Sequence, residues 1–317
     1  MTTSAPRPIQ DIRAVTNELR SQYIKMERDR QFRAAIDRLL NCDEEGNLIP
    51  DLVDFTASGE ARGLVVTDGA GGGKTSLVRH ALVNHPALQP SETALMPCVS
   101  VSVPSPATAK SVGHAVLNAT GYPSKNENPT AQRIWADVAL RFGLLGTAVL
   151  WIDEAHDVFP KRAKGEAPEI LNTLKSLMQG EAAVIVILSG VDSLWANISL
   201  DDQVKRRYRR FALPGVSTGA DRKMLWGLLG HFAGRADLEM PEEGDLIERV
   251  IHAGRHRFGR CVEQMIDAIE AALMLGDCKL EMHHFAEVFF AQEGCSVAEN
   301  VFLTPRWSSI DLSPRVV

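Results

Sequence analysis

Along the first forty residues, Ile12, Val15, Leu19, Tyr23 and Met26, then Phe32, Ile36, Leu39 and Leu40, recur at helical spacing with arginines between them. This predicts an amphipathic helical arm. The segment NCDEEGNLIPD, residues 41–51, is polar and rich in turn formers, and reads as a connection into the core. From residue 63 short apolar runs alternate with helix-like ones: GLVVT, KTSLVRHAL, PCVSVSV, ATAKSVGHAVLNAT, AQRIWADVALRF, TAVLWID, PEILNTLKSLM and AAVIVILSG. Strands apolar on both faces, separated by helices, predict an α/β fold with a parallel sheet covered by helices. After Pro214 the strand-like runs stop, and helical patterns follow at about 218–233, 244–253, 259–275 and 281–292. Val262, Met265, Ile266, Ile269 and Leu273 make the clearest stripe, so a small helical subdomain is expected behind the sheet. The last 25 residues, with FLTPRWSSIDLSPRVV, hold many turn formers and read as an extended tail. The expected division is therefore an arm and linker at 1–60, a core at 61–214, a helical lid at 215–292 and a tail at 293–317.

Composition adds exclusions. With 317 residues, 45% hydrophobic and 23% charged, the chain is long enough for a full core and has an ordinary globular balance. The start MTTSAPRPIQ has no apolar core for a signal peptide, and the longest apolar run, around LLGTAVLWI, is too short to span a bilayer. A cytoplasmic location and no membrane partner are expected. Cysteines 42, 98, 261, 278 and 295 are scattered and never in C-x-x-C spacing. They form neither a disulfide framework nor a zinc site, and read as small buried apolar residues. The net charge of −6 speaks against a wholly basic surface, so any polyanion would have to meet a local basic patch.

The stretch LVVTDGAGGGKTSLV, residues 64–78, joins an apolar strand, a glycine-dense loop and the opening of a helix, the layout of a phosphate-binding P-loop. Backbone N–H groups exposed by glycine surround phosphate at the positive end of a helix, a lysine reaches the outer phosphates, and a hydroxyl holds magnesium. Lys74 and Thr75 fit the last two roles, and Asp68, Gly69, Ala70, Gly71, Gly72, Gly73 and Ser76 complete the candidate nucleotide set. Asp68 stands where the usual spacing has its first glycine; its carboxylate either faces phosphate and weakens binding or points away. About eighty residues on, AVLWIDEAHD ends an apolar strand in Asp153 and Glu154. In this setting Asp153 is a magnesium ligand and Glu154 the general base that polarises the attacking water.

The letters DEAH also occur in RNA helicases, but those need a second RecA-like domain, and the remaining chain is mostly helical. AAVIVILSG ends in Ser189, where ATPases with an added strand between the two motif strands carry a polar γ-phosphate sensor. DDQVKRRYRRF, residues 201–211, packs five basic residues into six positions; it is either a solvated helix face or an arginine finger acting in a neighbouring subunit.

The order of these parts resembles an AAA+ ATPase, and more narrowly the TniB/TnsC family of transposition regulators, relatives of MuB and IstB. The narrower resemblance rests on SGVDSLW with DDQVKRRY, similar to G-T-x-x-A with D-x-Q-L-x-x-R-F, and on NVFLTPRWSSIDLS, similar to N-P-F-x-x-x-x-W-x-x-I-D. It implies a P-loop AAA+ αβα sandwich with a helical lid, and ATP with Mg2+ as ligands. By the same resemblance Arg207 matches the trans finger, with Arg206 as fallback, and Arg260 a second sensor. Departures from the pattern are Asp68 for glycine, Tyr208 for phenylalanine and Ser189-Gly190 for glycine-threonine.

The resemblance further implies ATP-dependent ring or helical assembly on double-stranded DNA with little sequence preference, recruitment of a transposase, and a TniQ-like target-selection partner. Lys110, Lys161, Arg162 and Lys164 are the candidate phosphate contacts. Two other functions compete: a helicase-loader or secretion-type AAA+ motor, and a nucleotide-switched scaffold. A loader would lack the C-terminal W-x-x-I-D box; a scaffold would not hydrolyse ATP usefully.

Overall fold

The computed structural model describes residues 7–57, 59–122, 129–158, 166–180 and 182–313. In chain order the elements are α1 (Ile9–Ser21), α2 (Glu27–Asp37), β1 (Leu40–Cys42), β2 (Leu48–Leu52), β3 (Gly63–Thr67), α3 (Lys74–Val83), β4 (Cys98–Ser102), α4 (Ala109–Ala119), α5 (Ala131–Leu145) and β5 (Val149–Asp153). They continue with α6 (Glu166–Leu177), β6 (Ile185–Gly190), α7 (Asp192–Ile198), α8 (Asp202–Lys205), β7 (Tyr208–Ala212), α9 (Thr218–Arg235), α10 (Leu246–Ala253), α11 (Phe258–Leu275) and α12 (Met282–Glu293). The chain divides into two compact units: one holds Lys25–Ala70 and Lys74–Leu213, the other the segment up to Ile24, Gly71–Gly73 and the chain from Pro214.

In the first unit β3 to β7 form a five-stranded sheet in the order β4-β5-β6-β3-β7, with every pairing parallel. The three inner strands are buried at every position, which is why they read as apolar runs up to Thr67, Asp153 and Ser189 near their carboxyl ends. Alternate side chains leave opposite faces. Val65, Leu150, Ile152, Val186 and Leu188 join a core with Val116, Val138 and Phe142 of α4 and α5. Leu64, Val66, Val149, Trp151, Ile185 and Ile187 join a second core with Phe32 of α2 and Leu77 and Val78 of α3. Side-chain caps start several helices: Thr108 accepts from Ser111 N, and Thr130 from Arg133 N.

Two expectations change here. Residues 41–51 are more than a connection, because β1 and β2 pair antiparallel. Asp43 Oδ1 accepts from Glu45 N at 3.0 Å and Asn47 N at 2.8 Å, so the polar run builds the hairpin turn. The basic run at 205–210 also contains a fifth strand, β7, beside β3. As an edge strand it leaves Arg209 and Arg210 exposed, so it lacks the apolar run that marks an inner strand and reads from sequence as a charge cluster.

In the second unit α9 to α12 pack around Phe232, Met265, Ile269, Leu273, Phe285 and Phe289, all buried. The residues read as one arm fall into both units. Helix α1 lies on α11, with Arg20 Nη2 donating to Asp267 Oδ1 at 3.0 Å and Glu270 Oε2 at 2.8 Å, whereas α2 belongs to the sheet unit.

The last residues are not extended as far as they are described. Asn300 is fully buried, donating to Ala286 O at 2.9 Å and accepting from Phe302 N at 2.9 Å. Val301 and Phe302 are buried with it, and Trp307 Nε1 donates to Asp245 Oδ2 at 2.9 Å. Arg249 Nη1 holds the carbonyls of Val301 and Thr304 at 2.6 and 3.0 Å, satisfying backbone that turn-rich sequence alone would leave to water. The cysteines are all free; Cys261 is buried, but Cys42 and Cys278 are exposed, against the expectation of burial for all five.

Candidate nucleotide site

Strand β3 ends at Thr67, and the glycine-dense loop leads directly into α3 at Lys74. Gly71 and Gly73 take φ of 77° and 89°, left-handed values at which a side chain is strained. The Lys74 side chain is 7% exposed, and its Nζ donates to the carbonyls of Asp68 and Gly69, each at 3.1 Å. Burial pulls the ammonium below its ordinary pKa, against the attraction of Glu154, Asp153 and Asp192. Asp68 is 4% exposed and its Oδ1 accepts from Gly69 N at 2.7 Å, so the carboxylate is engaged by the loop's own backbone.

Because β5 and β6 are parallel neighbours of the same sheet, their carboxyl ends lie side by side, where α/β proteins place ligands. Asp153 collects three donors there. Thr75 Oγ1 gives to Oδ2 at 2.7 Å, Ser189 Oγ to Oδ1 at 2.5 Å, and the Glu154 backbone N to Oδ1 at 3.0 Å. Trp151 Nε1 in turn donates to Ser189 Oγ at 2.8 Å, fixing that hydroxyl from within the core. Sequence reading missed Trp151, since an indole in an apolar strand looks like packing alone. The structure thus brings Lys74, Thr75, Asp153, Glu154 and Ser189 to one end of the sheet. A cation held by glycine-loop carbonyls and a hydroxyl bound to a carboxylate 78 residues away form a donor set suited to phosphate and magnesium.

Other expected residues are placed elsewhere. Arg207 is 4% exposed, with Nε 2.8 Å from Glu60 Oε1 and Nη1 donating to Lys175 O at 3.3 Å. A finger for a neighbouring subunit must be free to leave its own chain, and Arg207 is held inside by a buried carboxylate. Arg206, the fallback, is 60% exposed, with Nη2 donating to Glu60 Oε2 at 3.2 Å. Lys110 is exposed in the first turn of α4. Lys161, Arg162 and Lys164 lie outside the described residues. Within the second unit Arg260 N donates to Gly71 O at 3.1 Å.

The sequence matches the family described as "Bacterial TniB protein" over residues 14–218. The chain belongs to the TniB family. Structural comparison sets this TniB-family chain beside the ORC2 protein of Aeropyrum pernix in ADPNP and ADP complexes, at 14% identity and a TM-score of 0.59, covering 91% of this chain and 76% of that one. It is also similar to the ORC1 protein of Aeropyrum pernix in complex with DNA, at 16% identity and 0.61, covering 88% and 68%. Cdc6p from Pyrobaculum aerophilum is similar at 15% and 0.59, covering 92% and 76%. At such identities the likeness bears on the fold, a P-loop AAA+ sheet with flanking helices and a C-terminal helical region. No curated protein sequence matches. Among the described residues no helix is long and apolar enough to cross a membrane.

Proposed function

We propose that this TniB-family protein is an ATPase that assembles on double-stranded DNA, with little sequence preference, and regulates transposition by recruiting a transposase alongside a TniQ-like partner. The observation that carries the reading is the meeting of Thr75, Ser189 and Glu154 N on Asp153 at the carboxyl end of the sheet. Lys74 would bind the outer phosphates, and Thr75 and Asp153 would hold magnesium, which supplies positive charge beside them. Glu154 would take a proton from the attacking water as the oxygen bonds to the γ-phosphorus and the β–γ bond breaks. Ser189 is held against Asp153 and would register the γ-phosphate. From a neighbouring subunit Arg206 would stabilise charge on the phosphoryl group, and Arg260 would act as the second sensor.

The ORC1 relative is a complex with DNA, which supports a DNA-bound mode for this chain. The deciding measurement is ATP turnover with and without duplex DNA. Turnover stimulated by DNA and absent in Lys74→Ala is expected; tight ATP binding with no turnover under either condition would instead identify a nucleotide-switched scaffold.

A further inference from the structure

Gly190 departs from the family pattern, and the residue packed against it is His156. A Cβ at Gly190 would stand 3.1 Å from His156 Nδ1 and 3.2 Å from the His156 backbone nitrogen, closer than the ring and chain tolerate without shifting. The glycine therefore leaves room for the imidazole beside the end of β6. The ring also faces two carboxylates. Nδ1 is 3.2 Å from Glu154 Oε2, and Nε2 is 3.6 Å from Asp157 Oδ1. Nδ1 is buried and, among the described residues, makes no hydrogen bond, so Glu154 Oε2 is a near neighbour of charge. Glu154 itself takes φ of 53°, a left-handed value that glutamate adopts only when its surroundings hold it there.

We propose that His156 is the positioning residue for Glu154, drawing its carboxylate away from Lys74 so that it stays free to act on water. The inference rests on the reading of Glu154 as the general base. Glu154 is the foremost carboxylate acting on the Lys74 ammonium. Left to that attraction alone, the flexible glutamate would swing toward the lysine, and base and phosphate-binding cation would neutralise each other. The His156 ring, 3.2 Å from Glu154 Oε2, offers that carboxylate a competing partner. A base acts only within about 3 Å of the proton it takes, so a carboxylate displaced toward Lys74 loses its function while the nucleotide still binds.

The test compares His156→Phe, which keeps the ring's bulk without an N–H, with His156→Asn, which restores a donor near the place of Nδ1. For the phenylalanine variant kcat for ATP hydrolysis should fall about tenfold or more with KM unchanged, a part of the 10²–10⁴ that a general base supplies. The asparagine variant should recover most of that loss. Parental kcat in His156→Phe, or equal losses in both variants, would overturn the proposal. A second readout needs no turnover: the ring ¹⁵N signals of His156 should move on Glu154→Gln, and unmoved signals would show that the two groups do not interact. An inactive parental protein would count against the ATPase reading instead, and the ¹⁵N signals would still decide the contact.

Discussion

Lys74 shows how little of a residue's role lies in its own chemistry. In this structure its amine is held by two loop carbonyls, so the same contacts that bury it also keep it where phosphate would enter. Lys74→Ala should abolish ATP binding, because no other basic residue lies in the loop and a lysine acts there as a point charge. Titration with a fluorescent nucleotide measures this, and parental affinity would remove the site assignment. His85 belongs to the same scale. Its side chain is fully buried, with Nε2 2.9 Å from Asp37 Oδ1. Burial, aided by Arg33, lowers its pKa below the ordinary value near 6.5, and the bond to Asp37 only partly opposes this. The unfolded chain therefore binds the proton first: stability is complete above pH about 6.5 and declines as pH falls from there toward the folded pKa. Chemical denaturation at pH 7.5 and 5.5 should show a smaller acid loss in His85→Gln than in the parental chain; equal losses would reject this origin.

At the scale of elements, β7 separates two adjacent arginines into two roles. Arg207 precedes the strand and turns inward to Glu60, which is 5% exposed, whereas Arg206 stays at the surface. Removing Arg207 leaves the buried Glu60 carboxylate with Arg206 as its remaining ion-pair partner among the described residues. The expected cost is about 3 kcal/mol, the lower part of the range for breaking a buried pair, and denaturant midpoints measure it. Arg206→Ala should leave stability nearly unchanged but reduce turnover by roughly 10³-fold, as loss of an arginine finger does. Mixing Arg206→Ala with Lys74→Ala subunits checks the trans assignment, since each keeps what the other lacks. Without recovered activity at mixed interfaces, Arg206 does not act across subunits.

For the whole molecule the relevant contrast is between a net charge of −6 and the local cations Lys110, Lys161, Arg162 and Lys164. If assembly aligns these along a phosphate backbone, DNA binding should require ATP, and log affinity should fall with log salt at a slope of about −0.9 per phosphate neutralised. Replacing Lys161, Arg162 and Lys164 by alanine should flatten the slope and leave nucleotide affinity intact. Filter binding across a salt series tests both parts; equal binding without nucleotide, or an unchanged slope, would contradict the model.

The sequence by itself determined the features that local pattern dictates. Strands at 63–67, 149–153 and 185–190, buried on both faces, had to be apolar up to the polar residues near their carboxyl ends, helices such as 258–275 had to repeat every three to four residues, and glycine, Lys74 and Thr75 had to be consecutive for one loop to hold phosphate. Tertiary structure decided the features that depend on partners distant in the chain. Strand β7 exists because β3 offers it an edge, and Arg207 is internal because Glu60, far earlier in the chain, is buried against it. Asn300 folds the tail inward because Ala286 presents a carbonyl to its amide. His156 meets Glu154 two residues away, yet its room comes from Gly190 on the neighbouring strand. In each case the side chain alone permits both outcomes, exposed or engaged, and the partner brought close by folding selects between them, because burial of a polar group is stable only when that partner is present.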